Sequence, residues 1–358
     1  VQNLIRVKEE KCNICWEPKL QLLEGKSSYG GRHVDKLNSM LTIGEICFEL
    51  RKLIEDAVKR NLCEGLLLSG GLDTSILALV ASKFTMQKAF TVALNGAPAP
   101  DVEYASLVAR RLGIKHYIYY FYEDELYDAI HATIRVMKSF DPMEIRNSAA
   151  IYIALSVAKA EGLNAIMTGD GSDELFAGYS FLFNLEAERL KLELKKLWRI
   201  MSFSSVPLSK ALGIEVKLPY LDPHIRDFAS KLDPSYMIRE ERGKKWGKWI
   251  LRKAFEGMLP DEIIWRIKTP IEHGSGTTIL PALFNQKISD EEFQEKRRRY
   301  FETDKVVIRS KEQLFYYEIF RLIVGIPHPV KGGKACPYCN SDVEEEATYC
   351  RTCGAYPI

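Results

Sequence analysis

The run Ser69-Gly70-Gly71-Leu72-Asp73-Thr74-Ser75 sets two flexible glycines, three hydroxyls and one carboxylate between the apolar stretch Leu66-Leu67-Leu68 and a segment of helical periodicity. Consecutive glycines let backbone N–H groups turn toward an anion, the helix start adds partial positive charge, and the hydroxyls of Ser69, Thr74 and Ser75 donate further bonds. A pyrophosphate suits that set. Asp73 is the odd member: a carboxylate repels phosphate unless a divalent cation lies between them, so Asp73 is expected to be a Mg²⁺ ligand. The blander alternative is a glycine turn with a Ser/Asp helix cap. The G-x-x-x-x-G-K-[ST] pattern is absent, because no Lys follows the glycines.

A second run, Thr168-Gly169-Asp170-Gly171-Ser172-Asp173-Glu174-Leu175-Phe176-Ala177-Gly178-Tyr179, follows the apolar stretch Asn164 to Met167. Its three acids fall between two glycine-rich turns, at the carboxyl edge of a strand, where ligands of open α/β sheets bind. There they can organise Mg²⁺ or handle a proton beside the phosphates.

Cysteine supplies the third pattern. Cys336-x-x-Cys339 and Cys350-x-x-Cys353 are separated by ten residues, a spacing that suits a closed tetrahedral Zn²⁺ site whose metal drives the folding of a unit too small for its own core. Cys12 and Cys15 form half a metal site that His33 or residues from elsewhere would complete. The remaining thiols, Cys47 and Cys63, read as buried and inert.

The elements that must position these groups follow from periodicity. Gly65 to Leu68, Ala89 to Leu94, His116 to Phe121 and Asn164 to Met167 read as buried strands, separated by helices such as Asp73 to Phe84 and Val102 to Leu112. This alternation predicts an α/β fold with a doubly wound parallel sheet. From Phe181 strand signals fade, and Leu185 to Ile200, Gly247 to Met258 and Lys311 to Ile323 give a helical C-terminal half. Gly325 to Ala335 has the glycine and proline of a linker. The expected domains are an N-terminal segment (1–41) carrying the CxxC half-site, a large α/β domain carrying both glycine-rich runs (42–325), and a linker with a zinc ribbon (326–358).

Fifty Lys and Arg against 48 Asp and Glu leave a net charge of +2, which gives no general case for a polyanion partner. The dense basic run is Lys296-Arg297-Arg298-Arg299-Tyr300, read either as a solvated helix face or as a phosphate grip. No run of about 18 apolar residues exists and Val1 to Lys11 is too charged for a signal peptide, so a cytoplasmic protein without membrane contact is expected.

The Ser69 to Ser75 loop resembles the S-G-G-x-D-S loop of the N-type ATP pyrophosphatases (PP-loop enzymes of the adenine nucleotide alpha hydrolase type). The Gly169 to Tyr179 run resembles the G-[ED]-G-x-D-E-x-F-x-G-Y signature of asparagine synthetase and β-lactam synthetase. The likeness extends from about Ile43 to Leu283 through Phe90-Thr91-Val92-Ala93-Leu94, Gly213 to Asp222 and Leu251-Arg252 with Leu259-Pro260. It implies ATP and Mg²⁺ as cofactors, with Zn²⁺ added by the ribbon. Leu67 and Val92 would flank adenine; Ser69, Gly70, Gly71, Asp73, Thr74, Ser75, Gly169 and Lys248 would hold the phosphates; Lys268 would stabilise charge on the departing pyrophosphate. Asp170 or Asp173 would handle an amine proton, and Arg146 would pair with a carboxylate of the substrate.

The reaction so implied is adenylation of a small-molecule carboxylate, then amide formation. With about forty residues ahead of the synthetase region, no glutaminase activity of its own is expected. Ammonia would be free or come from a glutaminase subunit. The family pattern breaks at Asp141-Pro142-Met143-Glu144-Ile145, where Glu144 would repel an acidic substrate, at Met201 to Pro207, and at Lys217, which stands in place of an Arg. An acceptor other than aspartate is therefore expected to be in play. Two alternatives stay open: a tRNA-modifying enzyme that adenylates a base, with the ribbon holding tRNA, and a non-catalytic ATP-binding adaptor. Retention of Asp73, Asp170, Asp173, Lys248 and Lys268 argues against the adaptor.

Overall fold

The computed structural model describes residues 7–9, 42–329 and 333–358. The half-site expected at Cys12 and Cys15, with His33, lies outside the described residues, as do three residues of the expected linker.

Strands β1 (Val7–Glu9), β2 (Gly65–Leu67), β3 (Lys88–Leu94), β4 (Lys115–Phe121), β5 (Ala165–Met167) and β6 (Glu215–Lys217) form one sheet in the order β1-β4-β3-β2-β5-β6. β2 to β6 are parallel and β1 pairs antiparallel on the β4 edge. The chain winds outward from β2 through β3 to β4, then returns to add β5 and β6 on the other side. The direction of winding therefore reverses between β2 and β5. That reversal opens a crevice at the carboxyl ends of these two strands, and both glycine-rich runs leave from them. β6 has no strand signal in the sequence, because its three residues include the charged Glu215 and Lys217 at the sheet edge.

The helices α1 (Ile43–Arg60), α2 (Leu72–Ala81), α3 (Pro100–Leu112), α4 (Glu123–Met137) and α5 (Pro142–Ala160) belong to the sheet half. α1 starts at a capping box in which Thr42 Oγ1 accepts from Glu45 N and the Glu45 carboxylate accepts from Thr42 N, worth about 1 kcal/mol. It buries Ile46, Leu50, Ile54, Ala57 and Val58 along one stripe. α5 starts on Asp141, whose carboxylate accepts from Met143 N, with Pro142 in the first turn; small side chains at Ala149, Ala150, Ala154 and Ala158 let it lie close to its neighbours.

The helical half runs through α6 (Ser172–Leu175), α7 (Ala187–Ile200), α8 (Ser205–Leu212), α9 (Pro223–Lys231), α10 (Pro234–Met237), α11 (Trp249–Phe255), α12 (Asp261–Ile264), α13 (Ile271–Ser275), α14 (Leu280–Lys287), α15 (Asp290–Asp304) and α16 (Lys311–Ile323). Two apolar clusters fill the molecule. One holds α1, α2, α3 and α11 against the sheet; the other holds α4, α5 and α16. Leu66 belongs to the first and Leu67 packs on the second, as the alternation along a strand requires.

Cys336, Cys339, Cys350 and Cys353 are part of the second cluster, each at most 2% exposed. The C-terminal unit is thus docked on the main body, whereas the sequence suggests an appendage presented to a partner. Phe140 N donates to Thr352 O, Ser139 Oγ to Arg351 O, and the Tyr349 hydroxyl to Asp141. Arg309 and Gln313 donate to Cys353 O. A side chain at Gly354 would collide with the Asp141 carboxylate. A twenty-residue unit without a core of its own borrows one from α16 and the start of α5.

In the basic run, Lys296 is paired with Glu292 and Glu318, while Arg297 and Arg298 are exposed on α15. No helix among the described residues is long and apolar enough to cross a membrane.

Candidate active site

The two glycine-rich runs meet over the crevice between β2 and β5, in a cleft of about 360 Å³. Gly70 has φ +65°, and a Cβ there would strike the backbone of Tyr104 and Ala105 on α3, so only glycine fits where the loop turns under that helix. Within the loop Gly71 N donates to Ser69 Oγ, and Ser69 Oγ lies 3.2 Å from Thr74 Oγ1. Ser75 is fully buried. The start of α2 faces the cleft with Gly71, Asp73 and Thr74.

Charge is concentrated on the other side. Lys248 Nζ lies 2.6 Å from Asp73 Oδ2 and 2.7 Å from Asp173 Oδ1; Lys268 Nζ lies 2.7 Å from Asp173 Oδ2. Lys248 is 3% exposed and takes the left-handed conformation (φ 54°) just ahead of α11, where the sequence periodicity predicts a longer helix that would carry it. Burial opposes the Asp173 charge, but the two ammonium groups outweigh it and hold the carboxyl below the usual range. Burial likewise opposes the Lys268 charge, and Asp173 outweighs it, so the ammonium is held above its usual range. A side chain at Gly178 would collide with Asp173 and Lys248, which is why the second run needs glycine there.

Asp170 differs from Asp173. Burial pushes its carboxyl up, and the hydroxyls of Ser205 (2.5 Å) and Thr168 (2.9 Å), donating to one oxygen, only partly offset this. Along the wall of the cleft α5 shows Glu144, Asn147, Ala150, Ile151 and Ala154, while Leu67, Phe90 and Val92 add apolar lining from the sheet.

The chain matches the asparagine synthase family over residues 49–208 and 192–325, most of its length. It is 32% identical over 307 residues to asparagine synthetase B (glutamine-hydrolyzing) of Escherichia coli, covering 78% of this chain and 54% of that protein. The chain belongs to the asparagine synthase family. A probable asparagine synthetase of Dictyostelium discoideum is 33% identical over 290 residues, or 72% of this chain and 51% of its own. The chain spans about half the length of these curated relatives. A solved NH3-dependent NAD synthetase from Campylobacter jejuni covers 62% of this chain and 98% of its own at 16% identity, with a TM-score of 0.28, too low to bear on function.

Of the residues singled out in sequence, Leu67, Ser69, Gly71, Asp73, Thr74, Val92, Gly169, Asp170, Asp173, Lys248 and Lys268 line this one cleft. Arg146, expected to pair with a substrate carboxylate, is not among the residues lining the cleft. Its Nε lies 2.5 Å from Glu272 and its Nη1 2.7 Å from Glu312, both acids largely buried, so two of its three guanidinium nitrogens face protein carboxylates. Burial opposes the Arg146 charge, yet the two carboxylates raise its hold on the proton. Lys217 lies against Glu215, 2.6 Å away on the edge strand.

Three contributors have no role assigned from sequence, though Ser172 and Tyr220 fall within stretches that sequence singles out. Arg266 donates to Ser69 O (2.8 Å) and Asp101 (2.6 Å) and lies 4.0 Å over the Tyr104 ring, tying the glycine-rich loop to α3. Ser172 Oγ donates to Asp73 (2.7 Å), and the Tyr220 hydroxyl donates to Asp73 O (3.1 Å). Each reaches the site from far along the chain, which no local pattern records.

Asp73 is engaged by one ammonium and one hydroxyl, the environment of a carboxylate that accepts a cation. Among the described residues no three acids converge there, as suits Mg²⁺, which binds through one or two carboxylates together with substrate phosphates. For zinc the fit is direct. The four thiols of the C-terminal unit lie within 4.8 Å of one another, with Cys336 and Cys353 sulfurs 3.8 Å apart and those of Cys339 and Cys350 3.7 Å apart. Tetrahedral Zn–S bonds of about 2.3 Å require S···S separations of about 3.8 Å.

Proposed function

We propose that this chain activates a substrate carboxylate with ATP, forming AMP and pyrophosphate, and converts it to an amide. The observation that carries the reading is the bridge Lys248–Asp173–Lys268 beside the glycine loop: two ammonium groups held on one carboxylate where a pyrophosphate would sit. Bound Mg²⁺ would supply charge neutralisation of the phosphates, with Asp73 as its protein ligand. Leu67, Phe90 and Val92 offer the apolar slot for adenine, and the N–H groups at the start of α2 with the Ser69 and Thr74 hydroxyls cradle the phosphates.

A carboxylate oxygen attacks the α-phosphorus in line, the bond from that phosphorus to the bridging oxygen breaks, and the electron pair leaves with pyrophosphate. Lys248 and Lys268 exchange part of their interaction with Asp173 for the leaving group. An amine then attacks the acyl carbon, the acyl–oxygen bond breaks, AMP departs, and the amine gives up a proton. Asp170 is the better acceptor of that proton, since burial raises its affinity whereas Asp173 is held ionised by two lysines. Nitrogen comes from ammonia or from a partner with glutaminase activity.

The catalytic unit in this reading spans 42–325, and 326–358 is a linker with a structural Zn²⁺ unit. The test is pyrophosphate release from Mg·ATP with carboxylates plus ammonium, set against bulk tRNA with amine or sulfide. Release only with tRNA would refute the carboxylate reading.

A further inference from the structure

Resting on the synthetase reading above, we infer that the acceptor is a monocarboxylate carrying an ammonium group, and that Glu144 receives that group. The two ends of the cleft differ in kind. Ala150, Ile151 and Ala154 on α5 join Leu67, Phe90 and Val92 in one apolar cluster that lines the cleft. Glu144 stands in the first turn of α5, about 15 Å from Ala154 at 1.5 Å per residue, and the polar part of the lining also includes Ser202, Ser204, Ser205, Asp170 and Thr269. The apolar end takes the adenine, so the polar end takes the acceptor.

A second carboxylate on the acceptor would need a cation, and each cation among the described residues lining the cleft already has a protein partner. Among the described residues that line it, Lys248 and Lys268 are committed to Asp73 and Asp173 and to the phosphates. Arg266 is bound to Asp101, and Arg252 to the carbonyls of Gly247, Ile264 and Arg266. Arg146, on the same helix as Glu144, is locked between Glu272 and Glu312. Asn147 accepts from Glu272 N and donates to Met143 O.

Glu144 itself is only lightly satisfied. Burial disfavours its charge, and Ser148 Oγ, donating to one carboxylate oxygen at 2.7 Å, offsets part of that cost. The nearby Asp141 charge adds to the cost, and the charge of Arg351, whose guanidinium reaches across to Ile200 O, gives a smaller compensation. An acid in that position attracts an ammonium and repels a carboxylate. The sequence change that removes the family's acidic-substrate pocket therefore builds one of opposite preference.

The experiment measures pyrophosphate release from Mg·ATP and ammonium with β-alanine and γ-aminobutyrate, against succinate and aspartate as dicarboxylates. The ammonium-bearing monocarboxylates are expected to give the highest kcat/KM. Glu144→Gln should raise their KM about tenfold, the worth of one charge-assisted hydrogen bond, with the KM for ATP little moved, and Glu144→Lys should shift the ratio further toward succinate. A lead for either dicarboxylate, or a ratio that ignores both substitutions, overturns the inference while leaving the synthetase reading intact. Absence of release with every carboxylate overturns the synthetase reading itself.

Discussion

The ammonium of Lys248 lies 2.6 Å from Asp73 although 175 residues separate them, and the lysine is buried to 3% exposure. The contact joins the helical half of the chain to the glycine-rich loop of the sheet half.

That position predicts a divided outcome for the two site lysines. Lys248→Ala leaves Asp73 and Asp173 facing an interior without its ammonium, so it should cost about 3 to 5 kcal/mol of stability as well as activity. Lys268 has 40% of its side chain exposed, and Lys268→Ala should lower turnover about 100- to 1,000-fold with a small change in Tm. Thermal melting beside pyrophosphate release separates the two effects; equal Tm losses would contradict the assignment.

Arg146 gives a contrasting case. If its role is internal, Arg146→Ala strands two buried carboxylates and should lower Tm strongly, by about 3 to 5 kcal/mol of stability. Arg146→Lys, which keeps charge but loses the fork, should also destabilise. A variant that melts normally and only raises the acceptor KM would show that Arg146 meets substrate after all.

The pH behaviour of the two aspartates should have opposite sign. Asp170 holds its proton more tightly in the folded state, so the unfolded chain releases it first as pH rises through the ordinary carboxylate range near about 3.9. Stability attributable to this group is then lost on going up through that window. Asp170→Asn should accordingly raise Tm at neutral pH, show no such gain below the window, and impair the amide step. Asp173 is held ionised; its contribution is present above the ordinary range and is lost as pH falls through its depressed folded value. Melting curves of both Asn variants across acid pH would check the pair.

Zinc should matter to the acceptor more than to ATP. The four-thiolate unit fixes Ser139, Phe140 and Asp141 at the start of α5 and reaches Ile200 O through Arg351. Stripping the metal with a chelator, or Cys339→Ser, should release bound Zn²⁺ measurable by absorption spectrometry and raise the acceptor KM several-fold through the loosened first turn carrying Glu144. A metal-free protein with unchanged acceptor KM would contradict this coupling.

Much of this was written locally in the chain. Strand alternation, the loop Ser69 to Ser75, the acid run Thr168 to Tyr179 and the paired cysteines are each short patterns whose chemistry depends on neighbours a few residues away. They determined the α/β class, the glycine-rich loop at the cleft and the four-cysteine unit. Tertiary structure decided the rest, because it rests on pairings across long sequence separations. It committed Arg146 to Glu272 and Glu312, recruited Arg266 and Ser172, buried Lys248, docked the C-terminal unit on α5, and set Glu144 in the lining of the cleft. A charged side chain reads alike in sequence whether free or paired; only the fold brings the partner that settles its role.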